Sequence, residues 1–112
     1  MKASTILNLS AQRHAQDMLK RKYFSHETPE KKKPEDRIRA VGYFTPPCNC
    51  SVRFSYGENI AKGQKSPRDV MNSWMNSTVH RTNILKRDFK ELGVGYAGDV
   101  WVQNFGSVNI GK

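Results

Sequence analysis

Apolar side chains recur at helical spacing through Leu7, Ala11, Ala15, Met18 and Leu19, which predicts a helix over residues 5–22. Ser10 reads as an N-cap, although Arg13 stands where a capping box needs an acidic residue. Asn8 would then lie in a turn before the helix. His14 lies beside the apolar face and reads as structural or solvent-facing rather than as a ligand. Phe24 is expected to anchor the helix exit. His26 is followed by Glu27, Thr28 and Pro29, a loop sequence in which the proline disfavours helical geometry at Thr28. Pro34 suits the first position of a short second helix, with Ile38 and Val41 facing the core and Gly42 as the stop.

The pattern then changes period. Val52, Phe54 and Tyr56 alternate with polar residues, so residues 52–61 read as a strand. Glu58 continues that alternation into an apolar neighbourhood. A carboxylate buried there needs a partner or a raised pKa, which makes Glu58 the most informative acid in the chain. Ser66-Pro67-Arg68-Asp69 is a helix start, and Val70, Met71, Trp74 and Met75 form the stripe behind it. Val79 to Leu85 reads as a short helix with His80, Asn83 and Ile84 on one face. His80 could then point into a cleft while Ile84 anchors the turn. Phe89, Leu92, Val94 and Tyr96, then Val100, Val102 and Phe105, mark a C-terminal strand pair with Gly98-Asp99 as its turn.

Composition narrows the class. At 112 residues and 37% hydrophobic content, the chain suits one domain with a modest core, spanning 1–112. No apolar run approaches membrane-spanning length. No apolar leader core follows Met1, which points to the cytoplasm unless a leader has been removed. The net charge of +9 favours anionic partners, from nucleic acid to a cell-wall polymer or membrane surface, or is a solvated basic face. No nucleic-acid motif accompanies it. Cys48 and Cys50 are separated by one residue, a poor match for relaxed disulfide geometry. A strained bridge, free thiols, half a metal site or pairing with another chain all remain open.

No phosphate loop, dinucleotide fingerprint or His-Glu-x-x-His helix is present. Gly93-Val94-Gly95 reads as a strand feature. Two histidines and a glutamate could form an open zinc site, or Glu58 could orient a histidine acting as a general base. The order and spacing of several segments are more specific. These are Tyr23-Phe24-Ser25-His26, Asp36 through Tyr43, Gly57-Glu58-Asn59-Ile60-Ala61, Trp74 through Ser77, His80 through Leu85, Gly93 through Tyr96, and Trp101 through Gly106. Together they resemble the CAP superfamily (SCP/TAPS; cysteine-rich secretory protein, antigen 5 and pathogenesis-related 1), in its small bacterial-type form.

The resemblance implies an α+β fold, an α-β-α sandwich with a small, mostly antiparallel sheet between helical layers. It places His26, Glu58 and His80 in a shared cleft, with Asn83 as a further ligand-binding candidate. Ser77 stands where many members carry a second glutamate, which weakens a two-carboxylate mechanism. The usual first helix is missing, so the domain is N-terminally short. An exposed apolar face, lower stability or a homodimer through that surface is expected. The resemblance implies a secreted or cell-surface protein. The leading expectation is a non-enzymatic binding module for a lipid, sterol, cell-wall or protein partner, with no required cofactor. The alternative is a zinc-dependent hydrolase or peptidase with His26 and His80 as metal ligands and Glu58 activating water.

Overall fold

A computed structural model describes residues 1–43 and 52–110. Cys48 and Cys50 lie outside the described residues. The elements run β1 (Lys2–Ala3), α1 (Thr5–Arg21), α2 (Pro34–Ala40), β2 (Val52–Lys62), α3 (Pro67–Met75), α4 (Thr78–Leu85), β3 (Glu91–Ala97) and β4 (Val100–Ile110). The four strands form one sheet in the order β1-β3-β4-β2. β4 pairs antiparallel with both β2 and β3, while the short β1 adds in parallel at the edge of β3. The chain is therefore α+β, as expected, and the sheet is mostly antiparallel.

The helices divide between the two faces. Ala11, Ala15 and Met18 of α1 pack on Ile60, Val100 and Val102, which share one face through their cross-strand register. α2 sits beside α1 and buries Ile38. On the opposite face, Val70 and Trp74 of α3 pack on Ala61 and Trp101, with Ile84 of α4 against them. β4 is covered on both sides, so residues 100–107 are buried without a break. That explains why buried polar side chains, Gln103 and Asn104, sit beside Val102 and Phe105 in the central strand.

Two glycines let α1 come down onto β3. A Cβ on Gly93 would lie 2.1 Å from the Leu7 carbonyl carbon, and one on Gly95 would lie 2.2 Å from the Gln12 nitrogen. Gly93-Val94-Gly95 is thus a helix seat, in keeping with its reading as a strand feature. Val94 between them points to the other face and is 42% exposed, next to Tyr96 at 51%. Both side chains leave that end of β3 partly open to solvent.

The helix boundaries follow their caps, with corrections. Ser4, not Ser10, caps α1: its hydroxyl accepts from the Leu7 N–H at 3.2 Å. Asn8 lies inside the helix, and its side-chain oxygen accepts from the Val94 N–H. Pro34 starts α2, and Gly42 follows it at φ 88°, a conformation that favours glycine. Ser66 caps α3 by accepting from the Asp69 N–H. The apolar stripes are narrower than expected, because Leu19 and Met71 are exposed. Phe24 is 46% exposed and does not anchor the exit of α1. The chain turns there at Lys22, whose left-handed backbone (φ 58°) closes the helix. Among the described residues, no helix is long and apolar enough to cross a membrane.

Candidate functional site

Glu58 points from β2 toward the α1 face, in register with Asn104 of β4 and with Gly93 beyond it. Its side chain is 1% exposed. A bare carboxylate there would be very unfavourable, and the fold answers it on every side. The Arg37 fork reaches both oxygens, at 2.7 and 2.9 Å. Asn104 Nδ2 donates to Oε2 at 2.8 Å, and His26 Nδ1 donates to Oε1 at 2.8 Å. A carboxylate only accepts, so His26 carries its proton on Nδ1, which leaves Nε2 outside this contact. The His26 ring is half exposed.

A second tier fixes these partners. The Ser10 hydroxyl donates to Asn104 Oδ1 at 2.6 Å, so a buried serine on α1 orients the amide that binds Glu58. Arg37 also donates to the His26 carbonyl at 2.7 Å, tying the loop to α2. His14 is buried 4.0 Å from the Glu58 carboxylate. Its Nε2–H donates to the Ser25 carbonyl at 2.9 Å, which holds the loop on the other side of His26. His14 is thus structural, one of the two roles its sequence position allowed.

α4 closes the free edge of β2. Asn83 Nδ2 donates to the Glu58 main-chain carbonyl at 3.2 Å and to Asn59 Oδ1 at 2.9 Å. Asn59 in turn donates to the His80 carbonyl and to Gln103. Asn83 therefore anchors α4 to the strand that carries Glu58. The His80 ring sits 2.8 Å from the Ser77 hydroxyl through Nδ1. Ser77 occupies the N-cap position of α4 but makes no side-chain cap; its hydroxyl serves the histidine. Burial lowers the His80 pKa, and electrostatic proximity to the His26 ring lowers it further.

Of the sequence candidates, His26 and Glu58 touch directly. Asn83 meets the Glu58 backbone, and His80 stands across the β2 edge within electrostatic reach of His26. Arg37, Asn104, Ser10 and His14 complete the arrangement. None was assigned a functional part from the sequence. The available signal was the buried acid itself, which requires a cation, and Arg37 lies in one of the matching segments.

The zinc reading needs three protein ligands around one ion, or two with a free carboxylate for water. Both Glu58 oxygens are engaged by Arg37, His26 and Asn104. Among the described residues, no group of three or more His, Cys, Asp or Glu side chains could hold a metal ion. The donor set does not fit a three-ligand catalytic zinc.

The buried charges make stability depend on pH. Burial lowers the His14 pKa below its ordinary 6.5, outweighing the upward pull of Glu58. Burial alone would raise Glu58, yet the hydrogen bonds from His26 and Arg37 outweigh it and hold the pKa below 4.5. In both cases the folded state binds fewer protons than the unfolded one, so stability falls with falling pH. The His14 contribution begins to be lost near pH 6.5, and that of Glu58 below 4.5. The melting temperature is expected to drop between about pH 7.5 and about pH 5.5, with a shallower drop in His14→Gln. An unchanged melting temperature across that range would contradict a neutral, buried His14.

Comparison with known proteins bears on the family and the fold. The family model "CAP: Cysteine-rich secretory protein family" matches residues 1–105. The protein YkwD of Bacillus subtilis is 42% identical over 111 residues, covering 95% of this chain and 37% of that protein. The membrane protein YlbC of the same organism is 33% identical over 93 residues, covering 82% of this chain and 24% of that protein. The chain thus spans well under half the length of these relatives. Among solved structures, an extracellular protein of Bacillus anthracis containing an SCP domain superposes with a TM-score of 0.80 at 30% identity, covering 94% of this chain and 33% of that one. An outer surface protein of Borrelia burgdorferi gives 0.79 at 19% identity, covering 97% and 78%, a likeness of fold alone.

Proposed function

Since the chain belongs to the CAP (cysteine-rich secretory protein) family, we propose that it is a secreted or surface-held, non-enzymatic binding domain whose cleft at His26 and His80 receives a partner group. The observation that carries this reading is the saturation of Glu58. Its two oxygens take four hydrogen bonds from Arg37, His26 and Asn104. The carboxylate has no free lone pair in a geometry that would activate water. It works instead as a buried pin that fixes the His26 ring, while Ser77 fixes His80. A half-exposed His26 ring and a partly buried His80 ring, each held by a hydrogen bond, suit recognition.

Lipid, sterol, cell-wall and protein partners were all compatible with the sequence. The net charge of +9 favours an anionic one. Similarity to an extracellular SCP-domain protein supports a site of action at the cell envelope. An anionic cell-wall polymer satisfies both conditions.

The test is co-sedimentation with purified bacterial cell walls, before and after removal of their anionic polymers. The wild-type chain is expected to sediment with intact walls and to be released by stripping. A folded His26→Ala, His80→Ala variant is expected to stay in solution. Equal sedimentation of the two proteins would overturn the role of the cleft. A parallel Zn2+ titration is expected to show no stoichiometric uptake. One equivalent bound by wild type and lost in the double variant, with cleavage of a peptide or ester, would replace this reading by the hydrolytic one. Sedimentation of the protein alone is the control for self-association, for which the exposed Val94 and Tyr96 offer a surface.

A further inference from the structure

The outer edge of β3 is covered in two ways. At its start it pairs with β1, where the Lys2 N–H donates to the Lys90 carbonyl at 2.9 Å and the Ser4 N–H to the Leu92 carbonyl at 2.8 Å. β1 then ends, and the chain turns into α1 at Thr5. Beyond Leu92 the outward main-chain groups of β3 belong to Val94 and Tyr96, and no strand among the described residues meets them. Two side chains of α1 meet them instead. Asn8 Oδ1 accepts from the Val94 N–H at 2.9 Å. Gln12 Oε1 accepts from the Tyr96 N–H at 2.9 Å, and Gln12 Nε2 donates to the Tyr96 carbonyl at 2.9 Å.

The helix and the strand keep step here. Four residues of α-helix rise about 6 Å, and two residues of strand rise about 6.7 Å. Asn8 and Gln12, one turn apart, therefore match Val94 and Tyr96. The seat of α1 on Gly93 and Gly95 brings the helix close enough for these side chains to reach the edge. Gln12 occupies both main-chain groups of Tyr96, as a residue of a neighbouring strand would. All three bonds are exposed, so water would serve the same groups at little cost. Water would not keep another strand away. From Leu92 to Ala97, β3 carries no charge and no proline, and its register with β4 runs without a bulge. Charges, prolines and bulges are the usual protection of an edge. Beside this edge, Ile6 and Leu9 line an open groove with Val94, so an incoming strand would also bury apolar surface.

We propose that Asn8 and Gln12 form an autoinhibitory contact: they stand in for a strand and close the β3 edge to a second copy of this chain. A second copy fits because the edge is self-complementary. In an antiparallel, two-fold pairing, Val94 and Tyr96 of each β3 face the same stretch of the other, each residue offering one donor and one acceptor. No charge on this stretch opposes the pairing.

The test compares wild type with Asn8→Ala, Gln12→Ala by sedimentation equilibrium and by hydrogen exchange of the Val94 and Tyr96 amides. Alanine sustains the helix and removes the cover. Wild type is expected to protect both amides at every concentration. The double variant is expected to lose protection at both by at least about tenfold when dilute. It should self-associate at least about tenfold more tightly than wild type, and regain protection as the dimer fills. Asn8→Asp, Gln12→Glu retains the two acceptors and places charge at the edge, so it should stay monomeric with both amides protected. If the double alanine variant misfolds, Gln12→Ala alone should expose the Tyr96 amide and spare that of Val94. A folded double variant no more associated than wild type would overturn the proposal. So would a dimer whose two amides stay unprotected, which would place the contact on the exposed side chains of Val94 and Tyr96 and not on the edge. Full protection in the dilute double variant would overturn it as well, because α1 itself would then be the cover.

Discussion

Replacing Arg37 by alanine is expected to cost about 3–5 kcal/mol of stability, because it leaves the Glu58 carboxylate buried without its cation. Arg37 supplies two of the four hydrogen bonds on Glu58 and a third to the His26 carbonyl. His26 and Asn104 would remain, but they cannot replace a bidentate guanidinium. In a domain of this size, such a loss corresponds to a fall in melting temperature of roughly 12–20 °C. Arg37→Lys restores the charge without the fork and should fall in between. Glu58→Gln alone strands Arg37 in turn, so the double change is expected to cost less than the sum of the two single changes. Urea unfolding of the four proteins measures this directly. An alanine variant that melts within a few degrees of wild type, or strictly additive losses, would show that the pair is not a coupled buried unit. The same experiment bears on function. Without Arg37 the loop carrying His26 loses its tie to α2, so wall binding should weaken even where the protein stays folded.

What the sequence made legible was mostly local. The spacing of Leu7, Ala11, Ala15 and Met18 located α1 to within a residue at each end, because these side chains face one sheet. Glu58 stood out because a carboxylate interrupts an apolar alternation. Its partners did not, since Arg37 lies 21 positions away and Asn104 lies 46 away. Ser10 shows the difficulty in one residue. Local capping rules make it a helix start, yet its hydroxyl is spent on Asn104, 94 positions on. A capping argument sees only the next turn and cannot see a partner across the sheet. Asn83 is similar: helical spacing places it beside His80, but its amide turns to the free edge of β2, an edge that exists only once β4 has paired. Leu19 and Met71 carried helical periodicity, but the faces they lie on are wider than the surfaces that cover them. The resemblance to the CAP family supplied the long-range placement of His26, Glu58 and His80 that periodicity could not.

Gly95→Ala is the other change with a large expected effect, although it touches no site residue. The added Cβ would lie 2.2 Å from the Gln12 nitrogen and 2.3 Å from the Ala11 carbonyl carbon. These are main-chain atoms of α1, so no side-chain rotation relieves the clash and the helix must lift off β3. Overpacking typically costs about 1–3 kcal/mol where side chains can yield; against a rigid helix backbone the loss should exceed that range. Lifting α1 would unpack Ala11 and Ala15 from Val102 and Ile60. It would also draw Ser10 from Asn104, a contact of only 2.6 Å, and His14 from the neighbourhood of Glu58. A short serine side chain can reach across to the central strand only because the helix lies directly on glycine. The seat and the polar network are therefore one device, and a methyl group at Gly95 should dismantle both. Gly93→Ala, facing the Leu7 backbone at 2.1 Å, should behave alike, whereas Val94→Ala between them, on the exposed face, should cost about 1 kcal/mol or less. Thermal melts of the three variants, together with the NMR signal of the His14 ring, distinguish the cases. A Gly95→Ala protein with a near-native melting temperature and an unshifted His14 would mean that α1 is not seated on the β3 backbone.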